Sequence, residues 1–344
     1  MPPLTVLVTA VGAPGAAALL RALRENGERE VRLVGTDMSE LSIGRFHCDT
    51  FHLTPVGSDP GFAQEVLEVA EREGAQVVLP ESSNEVLALA EAKGDFEERG
   101  IRLLVSPPDA IRRSNDKGVF YELLDELGAP VPAWRRVRGA AELERAAREL
   151  GYPDRPVCMK PAIAKGARGF RILDPAVDRA HQLLHERPGA LAMRLEEVVE
   201  LLPDDAGEDL LVMELARGKE GAIDGIAAEG RVLLGHPKTR EAIRAGLAMY
   251  WETFLNEEWM EVARKIVGAL ELDHFWSLNL VGDLVIELNP RISTIVYQED
   301  LNMPWLGVKH GLGEISEEEL SSYFARVRPT RRALRYFDQV EWDE

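Results

Sequence analysis

Cysteine is scarce in this 344-residue sequence, and its scarcity excludes several classes of protein. Cys48 and Cys158 are the only two cysteines, and they lie far apart along the chain. A disulfide-stapled fold and a cysteine-based zinc site are therefore not expected. Such sparse cysteine usage favours a reducing compartment, so the sequence predicts a cytoplasmic protein.

The sequence also lacks a surplus of basic residues and a long apolar run. Asp and Glu total 59 against 40 Lys and Arg, a formal net charge of -19. Nucleic acid is an unexpected partner, because phosphate binding requires a basic face. The sequence contains no run of roughly 18 apolar residues, so no membrane span is predicted. The N-terminal residues lack the charged start and apolar middle of a signal peptide.

The N-terminal third alternates short apolar runs with amphipathic segments. This pattern predicts an open parallel α/β sheet with helices on both faces, in a domain of residues 1–113. The predicted strands are 5–9, 31–35, 76–79 and 101–105, and the predicted helices are 16–23, 62–73 and 86–98.

The glycine turn after the first predicted strand suggests a nucleotide site, but the signal is weak. Gly12-x-x-Gly15 is not the full dinucleotide-binding pattern, although Asp37 ends the second strand where a ribose-binding acid would lie. A structural tight turn explains the glycines equally well. A small carboxylate bound at the start of the following helix is a better functional hypothesis.

From residue 114 onward the pattern changes to helices mixed with hairpins. Glu229-Gly230 and Gly282-Asp283 are hairpin turn signals between apolar runs. Antiparallel hairpins mixed with helices indicate an α+β region. The chain is thus predicted to be a multidomain protein with an α/β part followed by an α+β part.

The most informative motif is Glu287-x-Asn289-Pro290-Arg291, which ends an apolar strand. Alternation places Glu287 and Asn289 on one face of that strand, where their oxygens suit Mg²⁺. Arg291 can bind a phosphate or an acyl phosphate with two hydrogen bonds. Asn279, on the partner strand of the hairpin, is a third candidate metal ligand. The alternative is a surface strand edge with an incidental ion pair.

Two further stretches can bind parts of a nucleotide. Lys160 ends a buried strand, and the following loop of residues 164–169 is rich in small residues, so the two can bind phosphates. A lysine that reaches solvent beside a plain turn would look the same. Residues 211–216 form an apolar strand passing into a linker, whose backbone can pair with an adenine edge. Glu220 can then accept from ribose hydroxyls, or it is simply a solvated turn residue.

In this order, these motifs resemble the ATP-grasp superfamily, specifically its carbamoyl-phosphate-synthase-like carboxylate–amine ligases. The resemblance covers essentially the whole chain. It implies a preATP-grasp domain (1–113), an ATP-grasp domain (114–315, with lobes at about 130–213 and 214–315) and a C-terminal tail (316–344). It implies these nucleotide-binding residues: Lys117, Lys160, Gly166, Ala167, Arg168, Gly169, Glu214, Leu215, Ala216 and Glu220. It implies the metal ligands Glu287 and Asn289, with Asn279 in the place of a more usual acid or glutamine.

The resemblance further implies ATP and Mg²⁺, or Mn²⁺, as cofactors. The implied reaction activates a small-molecule carboxylate as an acyl phosphate and couples it to an amine, releasing ADP and phosphate. Arg291, Lys238 and Arg240 are the expected catalytic residues, and each of the last two is otherwise a surface cation. A homodimer is the default assembly for such enzymes.

Ala164 and Ala167 depart from the family's glycine- and serine-rich loop. Three alternatives to the implied reaction stay open. They are carbamoyl-phosphate-synthase-like phosphorylation of a small carboxylate, a non-catalytic nucleotide-binding module, and a nicotinamide-dependent oxidoreductase. The last leaves residues 287–291 unexplained.

Overall fold

The computed structural model describes residues 2–164, 168–186, 189, 191–243, 247–293, 300–329, 331–336 and 338–343. The chain divides into two compact units. Unit 1 comprises residues 1–112, 220–279 and 288–344, and unit 2 comprises residues 113–219 and 280–287. Among the described residues, every helix is too short or too polar to cross a membrane.

Unit 1 begins with a five-stranded parallel sheet in the order β3-β2-β1-β4-β5. Its strands are β1 (Leu4–Thr9), β2 (Val31–Asp37), β3 (Thr50–Leu53), β4 (Val77–Pro80) and β5 (Arg102–Leu103). Its helices are α1 (Ala16–Arg24), α2 (Phe62–Glu73), α3 (Val86–Glu91), α4 (Lys93–Glu98) and α5 (Pro108–Asn115), and the unit boundary falls within α5. A 3₁₀ helix covers Ile43–Phe46.

The predicted open parallel α/β architecture of this region is confirmed. The apolar residues of the runs predicted to be strands are buried, because helices cover both faces of a parallel sheet. Two details differ from the prediction. The helix predicted at 86–98 is split at Ala92, which caps the end of α3 and the start of α4. The edge strand β3 was missed because its residues are only half-buried and carry little apolar signal.

Unit 2 contains a five-stranded sheet in the order β6-β10-β7-β8-β9. The strands are β6 (Trp134–Val137), β7 (Val157–Pro161), β8 (Arg171–Leu173), β9 (Ala192–Met193) and β10 (Leu210–Glu214). The helices are α6 (Lys117–Glu126), α7 (Ala140–Glu149), α8 (Arg179–His185) and α9 (Leu195–Leu201). β10 runs antiparallel to both β6 and β7, which places Leu211 opposite Lys160.

The remaining elements form a four-stranded sheet, a two-stranded sheet and three helices. The larger sheet has the order β12-β11-β14-β15, with β11 (Glu220–Ala228), β12 (Arg231–Thr239), β14 (His274–Val281) and β15 (Leu284–Asn289). β13 (Tyr250–Glu252) pairs with β16 (Arg332–Leu334). The helices are α10 (Glu257–Ala269), α11 (Met303–Gly311) and α12 (Glu317–Ser322), and a 3₁₀ helix covers Tyr323–Arg326. Residues 280–287 of the β14–β15 hairpin belong to unit 2.

Each unit has its own hydrophobic core. In unit 1, one cluster joins β1, α1 and α11 around the buried Trp305, and a second packs α2, α3 and α4 around Phe62 and Phe96. In unit 2, a cluster around Leu143 and Val212 joins α7 and α9 to the sheet. These cores hold fixed the strand ends that carry the polar residues described next.

Candidate functional site

Lys117 lies at the first position of α6 in unit 2. Asp116 caps this helix, because its carboxylate accepts hydrogen bonds from the backbone N–H groups of Gly118 and Val119. The Lys117 ammonium donates to the backbone oxygen of Ala164 at 2.5 Å, and its backbone N–H donates to Ala162 O. The side chain is therefore anchored against the strand end that leads into the predicted phosphate loop.

Lys160 lies on β7 and is 8% exposed. Its ammonium group donates to the backbone oxygen of Ile286 at 3.4 Å and lies 5.1 Å from the ring centroid of Tyr121. The Tyr121 hydroxyl donates to the same Ile286 oxygen at 3.1 Å. An aromatic face and a carbonyl stabilise a buried cation only in part.

The charges of Lys117, Lys160 and Glu287 act on one another within unit 2. Burial lowers the pKa of Lys160 to about 8; the Glu287 carboxylate raises it and the Lys117 ammonium lowers it further. Burial also lowers the pKa of Lys117, against the opposing effects of Glu287 and Asp116. Both lysines are therefore short of negative charge. A ligand with several negative charges would stabilise the charged form of both lysines, which burial disfavours.

The predicted adenine linker follows the end of β10. Glu214, the last residue of that strand, accepts a hydrogen bond from Arg155 at 2.5 Å. Leu215 and Ala216 are half-buried just beyond it. The turn after them requires glycine at Gly218, which has a φ of +130° and where a Cβ would lie 2.9 Å from the Cα of Gly282. This close approach fixes the path of the linker within unit 2.

The remaining predicted nucleotide residues precede β8 in the sequence or lie at the start of β11. Gly166 and Ala167 lie outside the described residues, whereas Arg168 is exposed and Gly169 has a φ of +73°. Gly169 packs against Pro161, because an added Cβ would meet that ring at 2.6 Å. Glu220 is exposed at the start of β11 in unit 1, where its backbone oxygen accepts from the N–H of Arg240.

The predicted metal-binding motif lies where the sequence places it, on β15. The unit boundary falls between Glu287 and Leu288, so Glu287 belongs to unit 2, while Asn289 and Asn279 belong to unit 1. No group of three or more His, Cys, Asp or Glu side chains within the described ranges is arranged to hold a metal ion. A Mg²⁺ at Glu287 would therefore need most of its ligands from phosphate oxygens and water, as Mg²⁺ at nucleotide sites does.

Arg291 is positioned within unit 1 by a serine that the sequence analysis missed. Its Nε donates to the hydroxyl of Ser83 at 2.7 Å, and Nη1 donates to the backbone oxygen of Ile292. The same Ser83 hydroxyl lies 3.5 Å from the amide oxygen of Asn289. Ser83 comes from the loop after β4, so the N-terminal sheet helps to orient the end of the β15 motif.

Lys238, expected to be catalytic or a surface cation, is a buried residue on β12. Its ammonium group forms an ion pair with Asp224 on the neighbouring strand β11, and the two side chains are 8% and 4% exposed. Arg240 is half-buried just beyond the end of β12. The catalytic role of each stays a prediction.

A second polar cluster in unit 1 follows the carboxyl ends of β1, β2 and β4. Glu81 is 3% exposed, and neither of its carboxylate oxygens has a hydrogen-bond partner among the described residues. Glu85 accepts from the Thr9 hydroxyl at 2.5 Å. Asp37 accepts from the backbone N–H groups of Gly12 and Ser39. We call Asp37, Glu81 and Glu85 the acidic cluster.

Asp37 also changes the interpretation of the glycine turn. Its carboxylate accepts from Gly12 N–H at 2.7 Å, and a Cβ on Gly12 would lie 2.8 Å from the same oxygen. The N–H that could bind a substrate carboxylate there already donates to an internal one. A negative charge at this position would repel a second anion beside Gly12. The small-carboxylate site at the start of α1 stays a prediction.

Comparison with known proteins supports the assignment suggested by these motifs. Residues 6–104 match the PylC-like N-terminal domain family. The C-terminal section of the carbamoyl phosphate synthase large chain from Aquifex aeolicus is 26% identical over 324 residues, covering 89% of this chain and 56% of the relative. A Mycobacterium tuberculosis large chain is 29% identical over 265 residues, but only 22% of its length is matched. The chain thus spans about half or less of the curated relatives it matches.

A solved structure shares the fold across most of the chain. The biotin carboxylase domain of Hydrogenobacter thermophilus 2-oxoglutarate carboxylase, solved with MgADP and bicarbonate, has a TM-score of 0.63 at 19% identity. The match covers 91% of this chain and 70% of that one. Together with the family match and the curated relatives, this fold confirms the resemblance carried by the sequence motifs. The chain is similar to the carbamoyl-phosphate-synthase-like carboxylate–amine ligases of the ATP-grasp superfamily.

Proposed function

We propose that the protein is an ATP-dependent ligase that activates a small-molecule carboxylate as an acyl phosphate and couples it to an amine. The observation that carries the proposal is the pair of buried lysines in unit 2, Lys117 and Lys160, whose pKa values burial lowers although Glu287 acts on both and Asp116 acts on Lys117. A nucleotide polyphosphate fits these two lysines in charge. The relatives also support the proposal, since the Hydrogenobacter domain was solved with MgADP.

In the proposed reaction, Lys117 and Lys160 bind the phosphates and neutralise charge that develops during transfer. Such positioning and electrostatic stabilisation are the main contributions a protein makes to phosphoryl transfer. Glu287 and Asn289 would hold Mg²⁺, which shields the phosphate oxygens from the incoming carboxylate. Arg291, oriented by Ser83, would bind the acyl phosphate, and the linker at 214–216 would bind adenine.

A screen for substrate-stimulated ADP release tests this function. The intact protein is incubated with Mg-ATP and pools of small carboxylates, each with and without a pool of amines. Product masses are then read for any active pair. We expect ADP release to depend on a carboxylate, and an amide to form only when an amine is present. The absence of stimulation by every pool would contradict the ligase and favour a nucleotide-binding module.

A matched pair of variants links the activity to the proposed site. Glu287→Gln keeps the shape of the side chain and removes its charge, so we expect ADP release to fall on the order of 100-fold. Glu126→Gln makes the same change on an exposed residue of α6 in the same unit, and we expect no change. Equal activity of the two variants would exclude the proposed role of Glu287.

A further inference from the structure

The acidic cluster of unit 1 has an unmet requirement for hydrogen-bond donors. The Glu81 carboxylate is buried without a partner among the described residues, while those of Glu85 and Asp37 have partners. Leaving a buried carboxylate unsatisfied costs free energy, so its retention needs an explanation.

The position of the cluster in the sheet is the one at which open α/β sheets bind ligands. β1 leads to β2 on one side, and β4 pairs with β1 on the other, so the direction of the strand order reverses between β1 and β4. Thr9 is the last residue of β1, and Glu81 follows the last residue of β4. Ligands of such sheets bind outside the carboxyl ends of the strands at this point of reversal.

The charges around Glu81 define the chemistry of a ligand. Burial raises the pKa of Glu81 to about 8; the Arg291 and Arg335 guanidinium groups lower it, and Glu85 and Asp37 raise it. Burial also raises the pKa of Glu85 to about 7. The cluster thus places carboxylates beside arginines in one unit. A primary ammonium group can donate to the carboxylates, and a carboxylate on the same molecule can accept from an arginine.

A divalent metal ion is a poorer occupant. Among the described residues, no group of three or more His, Cys, Asp or Glu side chains is arranged to hold a metal ion, and this includes the acidic cluster. Two of its carboxylates are also committed to hydrogen bonds from Thr9 and from backbone N–H groups. An ammonium group needs only one acceptor in each of three directions and tolerates this arrangement.

We propose that the acidic cluster binds the ammonium group of a small molecule that carries both a primary amine and a carboxylate, with Glu81 as its principal acceptor and Arg291 on the carboxylate side. This site rests on the proposed function in one respect only, which is that the ligase would activate the carboxylate of the bound molecule. Binding of the ammonium group itself requires no nucleotide.

Calorimetry on the intact protein tests the proposal without ATP. The probes are the standard amino acids that carry a primary amine, each chiral one as both enantiomers, together with 4-aminobutyrate and putrescine. Each binding compound is compared with the analogue in which methyl replaces ammonium, such as pentanoate for 4-aminobutyrate. We expect at least one amino-bearing probe to bind at least about tenfold more tightly than its methyl analogue. Binding by no amino-bearing probe would overturn the proposal.

Variants identify Glu81 as the acceptor. Glu81→Gln should weaken binding of that probe at least about tenfold. Glu97→Gln, which removes a charge from an exposed residue of α4 in the same unit, should leave it unchanged. Equal binding by both variants would refute the assignment to Glu81.

The wild-type protein supplies a readout that does not depend on a variant folding. An ammonium group binds to ionised Glu81, whereas the empty site holds the proton below pH about 8 because of the raised pKa. Binding at pH 7 should therefore release a proton, and affinity should rise with pH up to about 8. Titrations in two buffers with different ionisation enthalpies count that proton. Binding without proton release would contradict the role of Glu81.

The outcome also separates the two proposals. If an amine binds with proton release but no carboxylate pool stimulates ADP release, the ammonium site stands and the ligase fails. If amino-free carboxylates stimulate ADP release as well as amino-bearing ones do, the ligase stands and the ammonium site is wrong.

Discussion

The two units of the chain bury ionisable groups of opposite type, lysines in unit 2 and glutamates in unit 1. In unit 2, burial desolvates Lys117 and Lys160, which Glu287 and Asp116 compensate only in part. In unit 1, burial desolvates Glu81, which Arg291 and Arg335 compensate only in part. Neither arrangement stabilises the isolated chain, because a buried charge without full compensation is costly. We propose that a ligand of the opposite sign accounts for each. The comparison teaches that unsatisfied burial, rather than residue type alone, marks the candidate sites.

The largest effect is expected at the buried lysines of unit 2. Lys160→Met should weaken binding of Mg-ADP roughly 100-fold, since it removes a charged donor to the phosphates. Lys265→Met, on an exposed face of α10, is the control and should bind normally. Calorimetry measures both. If Lys160→Met bound Mg-ADP as tightly as the wild-type protein does, a bound nucleotide would not account for the burial of Lys160.

The pH dependence of stability should have opposite signs for the two groups. The pKa of Glu81 is raised from 4.5 to about 8 on folding, so its contribution to the free energy of unfolding is present below pH 4.5 and lost as pH rises through 8. The pKa of Lys160 is lowered from 10.5 to about 8, so its contribution is present above pH 10.5 and lost as pH falls through 8.

Urea unfolding at a series of pH values checks these signs. Between pH 6 and 8, Glu81→Gln should remove a stability loss of about 2 kcal/mol that the wild-type protein shows relative to pH 6. Between pH 8 and 10, the free energy of unfolding of the wild-type protein should rise as Lys160 loses its proton, and Lys160→Met should remove this rise. Glu97→Gln and Lys265→Met should follow the wild-type curve. Identical curves for all variants would show that neither group is titrated as described.

Ser83→Ala tests whether Ser83 orients Arg291 in unit 1. The change removes the hydroxyl that accepts from Arg291 Nε at 2.7 Å. Arg291 would lose its orientation but keep its charge, so we expect kcat of the ligase to fall about tenfold with a smaller change in KM. Ser83→Thr keeps the hydroxyl and should restore most of the activity. A loss of stability without a change in kcat would indicate that Ser83 has only a structural role.

The smallest effect is expected at Tyr121. Tyr121→Phe removes the hydrogen bonds to the backbone oxygens of Val285 and Ile286 but keeps the ring beside Lys160. The free energy of unfolding should fall by about 1 kcal/mol, while Mg-ADP affinity stays within a few-fold of wild type. A large loss of affinity would mean that the hydroxyl, and not the ring, positions the lysine.

The sequence by itself determined the open parallel sheet and the resemblance to ATP-grasp ligases. Buried parallel strands appear as apolar runs separated by amphipathic helices, and that pattern depends only on local periodicity. The motif ending at Arg291 was equally visible, since polar residues that end an apolar strand need a reason. The site assignments made from these motifs stay predictions, and Gly166 and Ala167 lie outside the described residues.

Only the tertiary structure decided which polar residues lack partners. Lys238 was expected on functional grounds and proves to be paired with Asp224, whereas Glu81 and Ser83 were overlooked in a short polar stretch after β4. A glutamate in a loop is usually solvated, and nothing in its neighbours along the chain reveals otherwise. Burial and hydrogen-bond satisfaction arise from residues distant in sequence, so they become visible only when the fold brings those residues together.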